Sequence, residues 1–255
     1  MTADAQTRVR LTPGPVATLT LEDTRGLNLL SVATARSLLQ QLLDLRTQPD
    51  LLVLILTGSP GSRAFCAGAD MRELLSLKDI PAYVELGQEL THQLEHFPVP
   101  VIAALNGYAL GAGFSLAMAC DLRVISASAK IGQLAVLNGL VPPFGNLQQI
   151  LQIAGPARGR ELIYTGRILN AEEAERYQLV NRVVEPAQLM DAAHELASAI
   201  ARSPARAVRL AKAVLVRTLE EGHAVGYALQ EEALMECLAS QESREIMEGF
   251  LSGEQ

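Results

Sequence analysis

The chain has no tryptophan and only five tyrosines and five phenylalanines among its 255 residues. Because 49% of the residues are nonetheless hydrophobic, the core must be built from Leu, Ala, Val and Ile. Cysteine is also scarce. Cys66, Cys120 and Cys237 lie far apart and form no CxxC pair, which excludes a disulfide framework or a thiolate metal knot and suits reduced thiols. Positive charge is in deficit: 21 Lys and Arg face 28 Asp and Glu, for a net charge of −7. That balance argues against nucleic acid or an anionic membrane as partner. Long apolar runs are missing too. Leu51–Leu56 and Val99–Leu105 are strand-length and far too short to span a bilayer. The stretch from Met1 to Arg10 is polar and has no apolar signal core. A cytoplasmic protein is expected, with no membrane partner.

What is present is an alternation of strand and helix patterns in the first half. Val16–Leu21, Leu51–Leu56, Val99–Leu105 and Leu122–Ser126 read as strands, the continuous aliphatic runs as strands buried on both faces. Val32–Leu45 and Ile80–Phe97 carry apolar residues at helical spacing. Strands separated by helices imply parallel βαβ units. From Gly145 onward the pattern is nearly all helical, over Leu147–Ile153, Ala157–Tyr164, Ala171–Tyr177, Ala187–Arg202, Pro204–Thr218 and Val225–Ala239, with one more strand at Leu179–Val184. The expected organisation is an α/β core over residues 1–195 and a helical C-terminal region over 196–255.

Two strand-to-helix turns carry chemistry. One runs from Arg63 through Phe65, Cys66, Ala67, Gly68 and Ala69 to Met71; the other runs from Asn106 through Leu110, Gly111, Ala112 and Gly113 to Ser115. Small residues let backbone approach a ligand closely. A helix N-terminus offers unpaired N–H groups and a positive dipole end, which favour developing negative charge. Two such turns meet the requirement of an oxyanion hole. Neither fits GxGxxG or GxxxxGK[ST].

The segment Ala64-Phe65-Cys66-Ala67-Gly68-Ala69-Asp70-Met71 resembles the first signature of the crotonase (enoyl-CoA hydratase/isomerase) superfamily. Val101 to Gly113 resembles the second, and Ala119-Cys120-Asp121-Leu122-Arg123 continues it. Asn28-Leu29-Leu30-Ser31 upstream, and Gly166-Arg167, Ala171 to Ala174, Leu179-Val180-Asn181 and Val183-Val184 downstream, agree in order and spacing. The resemblance implies a spiral of ββα units with a helical C-terminal trimerisation region, and a homotrimer or dimer of trimers. It implies an acyl-CoA or acyl-carrier-protein thioester as substrate, so coenzyme A or phosphopantetheine arrives with the substrate and no separate cofactor is needed. It assigns the oxyanion donors to the backbone N–H groups of Ala69 and Ala112. Asn28, Ala67, Gly68, Asp70 and Gly111 then fall along the substrate path.

The chain departs from that family where hydratases carry two glutamates. Ser115 stands at the first position and Ala135 at the second, within Gly132-Gln133-Leu134-Ala135. Adding water to an enoyl double bond needs a group to activate water and one to protonate the α-carbon. Neither Ser115 nor Ala135 holds a titratable proton near neutral pH. Phe144, in Pro142-Pro143-Phe144-Gly145-Asn146, replaces a glycine-rich turn and is expected to fill pocket space. An enolate-stabilising site without these carboxylates points first to decarboxylation of a malonyl- or glutaconyl-type thioester, whose own carboxylate leaves as CO₂. Double-bond isomerisation with a base from elsewhere comes second. A catalytically silent binding subunit and a rearranged hydratase or hydrolase complete the set.

Replacement acids and bases were sought among the remaining side chains. His92 is a candidate because its helix contributes catalytic groups in some relatives. His223 and Tyr227 sit in a C-terminal segment that reaches the active site in others. Each also has a plain reading as a helix-surface or helix-start residue, and so has His194. His92 and His96 are four apart but lack the glutamate of HExxH and a third ligand, so no metal is expected. Tyr83 and Tyr108 are proton donors if they line the pocket. Lys78 reads as an exposed loop charge, Asp70 as a helix cap and Cys66 as packing.

Overall fold

The structure, a computed structural model, describes residues 6–252 without the side chain of Asn146. The first five residues of the polar N-terminal stretch therefore lie outside the described residues. The principal sheet has six strands. In chain order these are β1 (Arg8–Thr12), β2 (Val16–Glu22), β3 (Val53–Gly58), β5 (Val101–Leu105), β7 (Leu122–Ser126) and β10 (Arg182–Val184), and they lie side by side in that order. Only the β1–β2 pair is antiparallel; β2, β3, β5, β7 and β10 run parallel. Every residue of β3 and β5 is buried, as continuous aliphatic strands with both faces covered require. One face packs on α1 (Val32–Leu45) and α3 (Ile80–Glu95); the other packs on α7 (Leu189–Ala201), where Leu189, Ala193 and Ala197 meet Val53, Ile55 and Val124.

A second sheet of four short strands stands at the carboxyl ends of this first one. It is ordered β4 (Ala64–Cys66), β6 (Tyr108–Leu110), β8 (Lys130–Gly132), β9 (Leu169–Asn170). Thus β3 is followed by β4, β5 by β6 and β7 by β8, each pair contributing one strand to each sheet. This is the ββα spiral expected from the resemblance. The short strands were not anticipated, because two or three turn residues carry no period-2 pattern. Helix α2 (Met71–Ser76) follows β4, and α4 (Ala112–Ala119) follows β6.

The helical C-terminal part is also present. Helix α5 (Asn146–Thr165) bends at Gly155, whose φ is 75° with Pro156 following; the sequence shows these halves as two helices. Helix α6 (Ala171–Arg176) starts in a capping box between Asn170 and Glu173. The long α8 (Ala205–Glu221), α9 (His223–Ala239) and α10 (Gln241–Ser252) follow. The expected boundary between residues 195 and 196 falls inside α7. Helix α10 was not anticipated, although Ile246, Met247 and Phe250 have helical spacing. No helix among the described residues is long and apolar enough to cross a membrane.

Candidate active site

The two glycine turns abut one another at the head of α4. Gly68 has φ +116°, and a Cβ there would lie 3.1 Å from the Leu110 carbonyl oxygen and 4.0 Å from the Ala112 nitrogen. Gly111 has φ +54°, and its Cβ would meet only the Gly68 Cα, at 3.9 Å. Both values favour glycine. Behind them, a Cβ on Gly113 would sit 1.9 Å from the Cys66 carbonyl oxygen. Only hydrogen fits between α4 and the first turn.

The first turn is pinned from Asn28, itself at φ 51°. The Asn28 amide is fully buried and donates to the carbonyls of Ala64 at 2.7 Å and Phe65 at 3.2 Å. Leu30 N–H donates to the Gly68 carbonyl at 2.8 Å, and Ala67 N–H donates to Leu27 at 2.9 Å. Asp70 caps α2 by accepting from Arg72 and Glu73 N–H groups, as expected. Once these bonds are assigned, the N–H groups of Ala69 and Ala112 donate to no acceptor among the described residues. Ala112 opens α4, where backbone donors are unpaired by construction. Two such donors on touching turns are chemically able to hold an anionic oxygen.

Around them the site holds no ionised group of its own at Ser115 or Ala135. Ser115 is buried, and its Oγ lies 3.3 Å from the Gly111 carbonyl. Buried Gln133 spans the turn, its Nε2 donating to the Gly111 carbonyl at 3.2 Å and to Ser115 Oγ at 3.5 Å, while its Oε1 accepts from Ala135 N–H at 3.3 Å. Gln133 is a positioning residue that sequence reasoning passed over; its neighbours drew the attention. Phe144 is buried with its ring 5.3 Å from Tyr83. It lies so close to α3 that a Cβ on Gly87 would be 2.0 Å from it. The Phe144 carbonyl accepts from Thr91 Oγ1 at 2.9 Å. Burial pushes Tyr83 up to about 12, with the charge of Glu73 adding to the rise, so its phenol is neutral near physiological pH.

The other candidates are on helix surfaces, in a loop and on β6. His223 opens α9, which packs on α8, and Tyr227 is one turn on with its ring 6.4 Å away. Both are exposed, and no hydrogen bond or ring contact ties either to the two turns. His92 is exposed on α3 and stacks on His96 at 3.9 Å. Lys78 and His194 are exposed, and Tyr108 is partly exposed on β6.

Burial pushes Cys66 and Cys120 both up to about 12 from 9, which leaves each about a thousandfold less thiolate than an ordinary cysteine at the same pH. Iodoacetamide at pH 8 is expected to alkylate only half-buried Cys237 in the native protein, as read by intact-mass spectrometry. Rapid modification of Cys66 would contradict the packing of the first turn.

A parallel β spiral whose adjoining βα turns present free N–H groups at a helix N-terminus defines a class of enolate- or oxyanion-stabilising scaffold. The family is fixed by comparison: residues 12–255 match the enoyl-CoA hydratase/isomerase family model, and the chain belongs to that family. It is 35% identical over 240 residues to the short-chain-enoyl-CoA hydratase of Clostridium acetobutylicum, covering 93% of this chain and 92% of that protein. It is 35% identical to the crotonyl-CoA hydratase of Syntrophomonas wolfei, covering 92% and 91%. The crystal structure of an enoyl-CoA hydratase from Bacillus anthracis superposes with a TM-score of 0.91 at 33% identity, over 97% of this chain and 96% of that one.

Proposed function

We propose that this protein is an acyl-thioester enzyme that holds a thioester enolate on the N–H groups of Ala69 and Ala112, and that its reaction is decarboxylation of a malonyl- or glutaconyl-type thioester. The observation that carries this reading is the combination of two unpartnered donors on touching turns with a buried Ser115 and an Ala135 where an acid and a base would stand. In the reaction the bond to the carboxylate breaks, from the α-carbon of a malonyl-type thioester or from the γ-carbon of a glutaconyl-type one, whose double bond relays the electron pair. The electron pair passes into the thioester as the enolate, CO₂ leaves, and the α- or γ-carbon takes a proton. The Tyr83 phenol, neutral on α3, is the proposed proton source. The thioester oxygen gains charge only as the bond breaks, so the two donors bind the transition state more strongly than the substrate. No separate cofactor takes part. The reading includes a cytoplasmic homotrimer or dimer of trimers, supported by apolar side chains left exposed on α9 and α10, among them Leu234, Met235 and Phe250.

Hydration of an enoyl thioester is the second reading, favoured by the names of the relatives. One screen separates the two. Malonyl-, methylmalonyl- and 3-methylglutaconyl-thioesters, on coenzyme A and on carrier protein, are expected to release CO₂, and Tyr83→Phe is expected to slow release by roughly 100-fold or more. No release from any of them would overturn decarboxylation. Crotonyl-CoA hydration at about 10 per second or faster would establish the second reading. Tight thioester binding without either reaction would leave a silent binding subunit.

A further inference from the structure

Away from the two turns, α3 and α8 bring together three metal-ligating side chains. Glu95 and His96 end α3, and Glu220 lies in the last turn of α8. One ligand atom from each lies within 4.8 Å of the other two. The group stands beside a groove of about 1330 Å³ running between α3, α5 and α8, which Glu95 and Glu220 help to line.

The hydrogen bonding around His96 leaves its Nε2 turned toward Glu220. Its Nδ1 lies 3.0 Å from the His92 carbonyl. A carbonyl only accepts, so Nδ1 carries the proton. In the neutral ring Nε2 is then a bare lone pair, and it faces Glu220 Oε1 at 2.9 Å. Two lone pairs meet at that distance only with a proton or a cation between them. A carbonyl on the far ring nitrogen, here that of His92, also fixes the orientation of a metal-binding histidine.

The Glu95 carboxylate, half-buried, has no hydrogen-bond or ion-pair partner among the described residues. The cations nearby are committed: Lys212 to Asp121 and Arg217 to Glu221. Glu95 and Glu220 thus both stand beside the one imidazole of His96.

We propose that Glu95, His96 and Glu220 form a divalent-metal site, suited to Zn²⁺, that clamps the end of α8 to the end of α3. Imidazole and carboxylate oxygens are ordinary zinc ligands, with bonds of about 2.0–2.2 Å and so ligand separations of roughly 3.3 Å. The ligand atoms, now within 4.8 Å of one another, would have to close to that spacing on the ion, and Glu220 is exposed to solvent. The sequence hides the site because its third ligand comes from a distant helix. Nothing in it depends on the thioester chemistry.

The test is a calorimetric titration of the chelator-stripped full-length protein with ZnCl₂, followed by visible spectroscopy with Co²⁺ in its place. One ion per chain with a micromolar Kd is expected, with a Co²⁺ band in the region of tetrahedral sites. At a hundredfold excess over Kd, Tm should rise by roughly 5 °C or more. Glu220→Gln, at an exposed position, should keep the fold by circular dichroism and weaken binding at least about tenfold, as should Glu95→Gln. Absence of uptake at 100 µM ZnCl₂, or unchanged uptake in both folded variants, would overturn the proposal and leave His96 and Glu220 as an ordinary ion pair.

Discussion

Gly113→Ala is expected to lower kcat/KM by about a hundredfold or more and to lower Tm in the same protein. The new Cβ would stand 1.9 Å from the Cys66 carbonyl oxygen and 2.7 Å from its carbonyl carbon. Both are backbone atoms, so no rotamer relieves the clash. Ordinary contact distances near 3.5 Å require the head of α4 to retreat from the first turn by about 1.5 Å. Ala112 precedes Gly113, and Ala69 lies three residues beyond Cys66, so the retreat separates the two proposed donors. Loss of one oxyanion donor costs about 10²–10³ in rate, and forced overpacking costs about 1–3 kcal/mol of stability. Gly249→Ala is the matched control, since nothing lies within 4 Å of its Cβ position and Ala is the better helix former. Turnover within fivefold of the parent and an unchanged Tm for Gly113→Ala would show that the turns do not meet as described.

The same crowding explains what could be read from the chain and what could not. Helix α1 and strand β7 begin and end where the sequence places them, because Leu38, Leu42 and Leu45 keep a helical period and Leu122, Val124 and Ile125 fall together in a short strand-length segment. The second sheet was illegible. Its strands are held by close backbone approaches, such as Gly107 against the Arg63 carbonyl, and a glycine announces a turn without naming its partner. At the site, the two turns stood out because small residues cluster in them, and Ser115 and Ala135 because they break a recognisable pattern. The packing of Phe144 into the slot at Gly87 was not legible, since a missing side chain on one helix gives no sign of which ring fills the gap. Neither was the bridging by Gln133, which has the appearance of an ordinary polar residue after a strand. His223, Tyr227 and His92 were legible as chemistry-bearing residues, but their positions depend on how the long helices fold back, and within the single chain all three are exposed with no hydrogen bond or ring contact to the turns.

Lys212→Met should cost about 3 kcal/mol, seen as a fall in Tm of roughly 6–12 °C, even though the residue is far from the proposed chemistry. Lys212 points from α8 into the core, with only 7% of its side chain exposed, and its Nζ meets Asp121 Oδ2 at 2.6 Å. The same ammonium donates to the Val99 carbonyl at 3.1 Å. Asp121 Oδ2 also accepts from Val101 N–H at 2.6 Å, so the pair ties α8 to the start of β5. Burial lowers the Lys212 pKa and the nearby Asp121 carboxylate only partly opposes it. The folded state therefore carries the charge at a net cost, and the pair is not a large source of stability in itself. Removing the lysine alone leaves a carboxylate facing an apolar side chain, which is the expensive state. Lys212→Met with Asp121→Asn removes both charges, and the asparagine oxygen can still accept from Val101. The double variant should recover at least half of the loss, a coupling of about 1.5 kcal/mol or more in a double-mutant cycle read by urea unfolding. If the two single losses simply add, the tether is not a charge pair and α8 is held by its apolar contacts. Asp121, within a family signature, would on the paired outcome be retained to hold the C-terminal helices rather than to touch substrate.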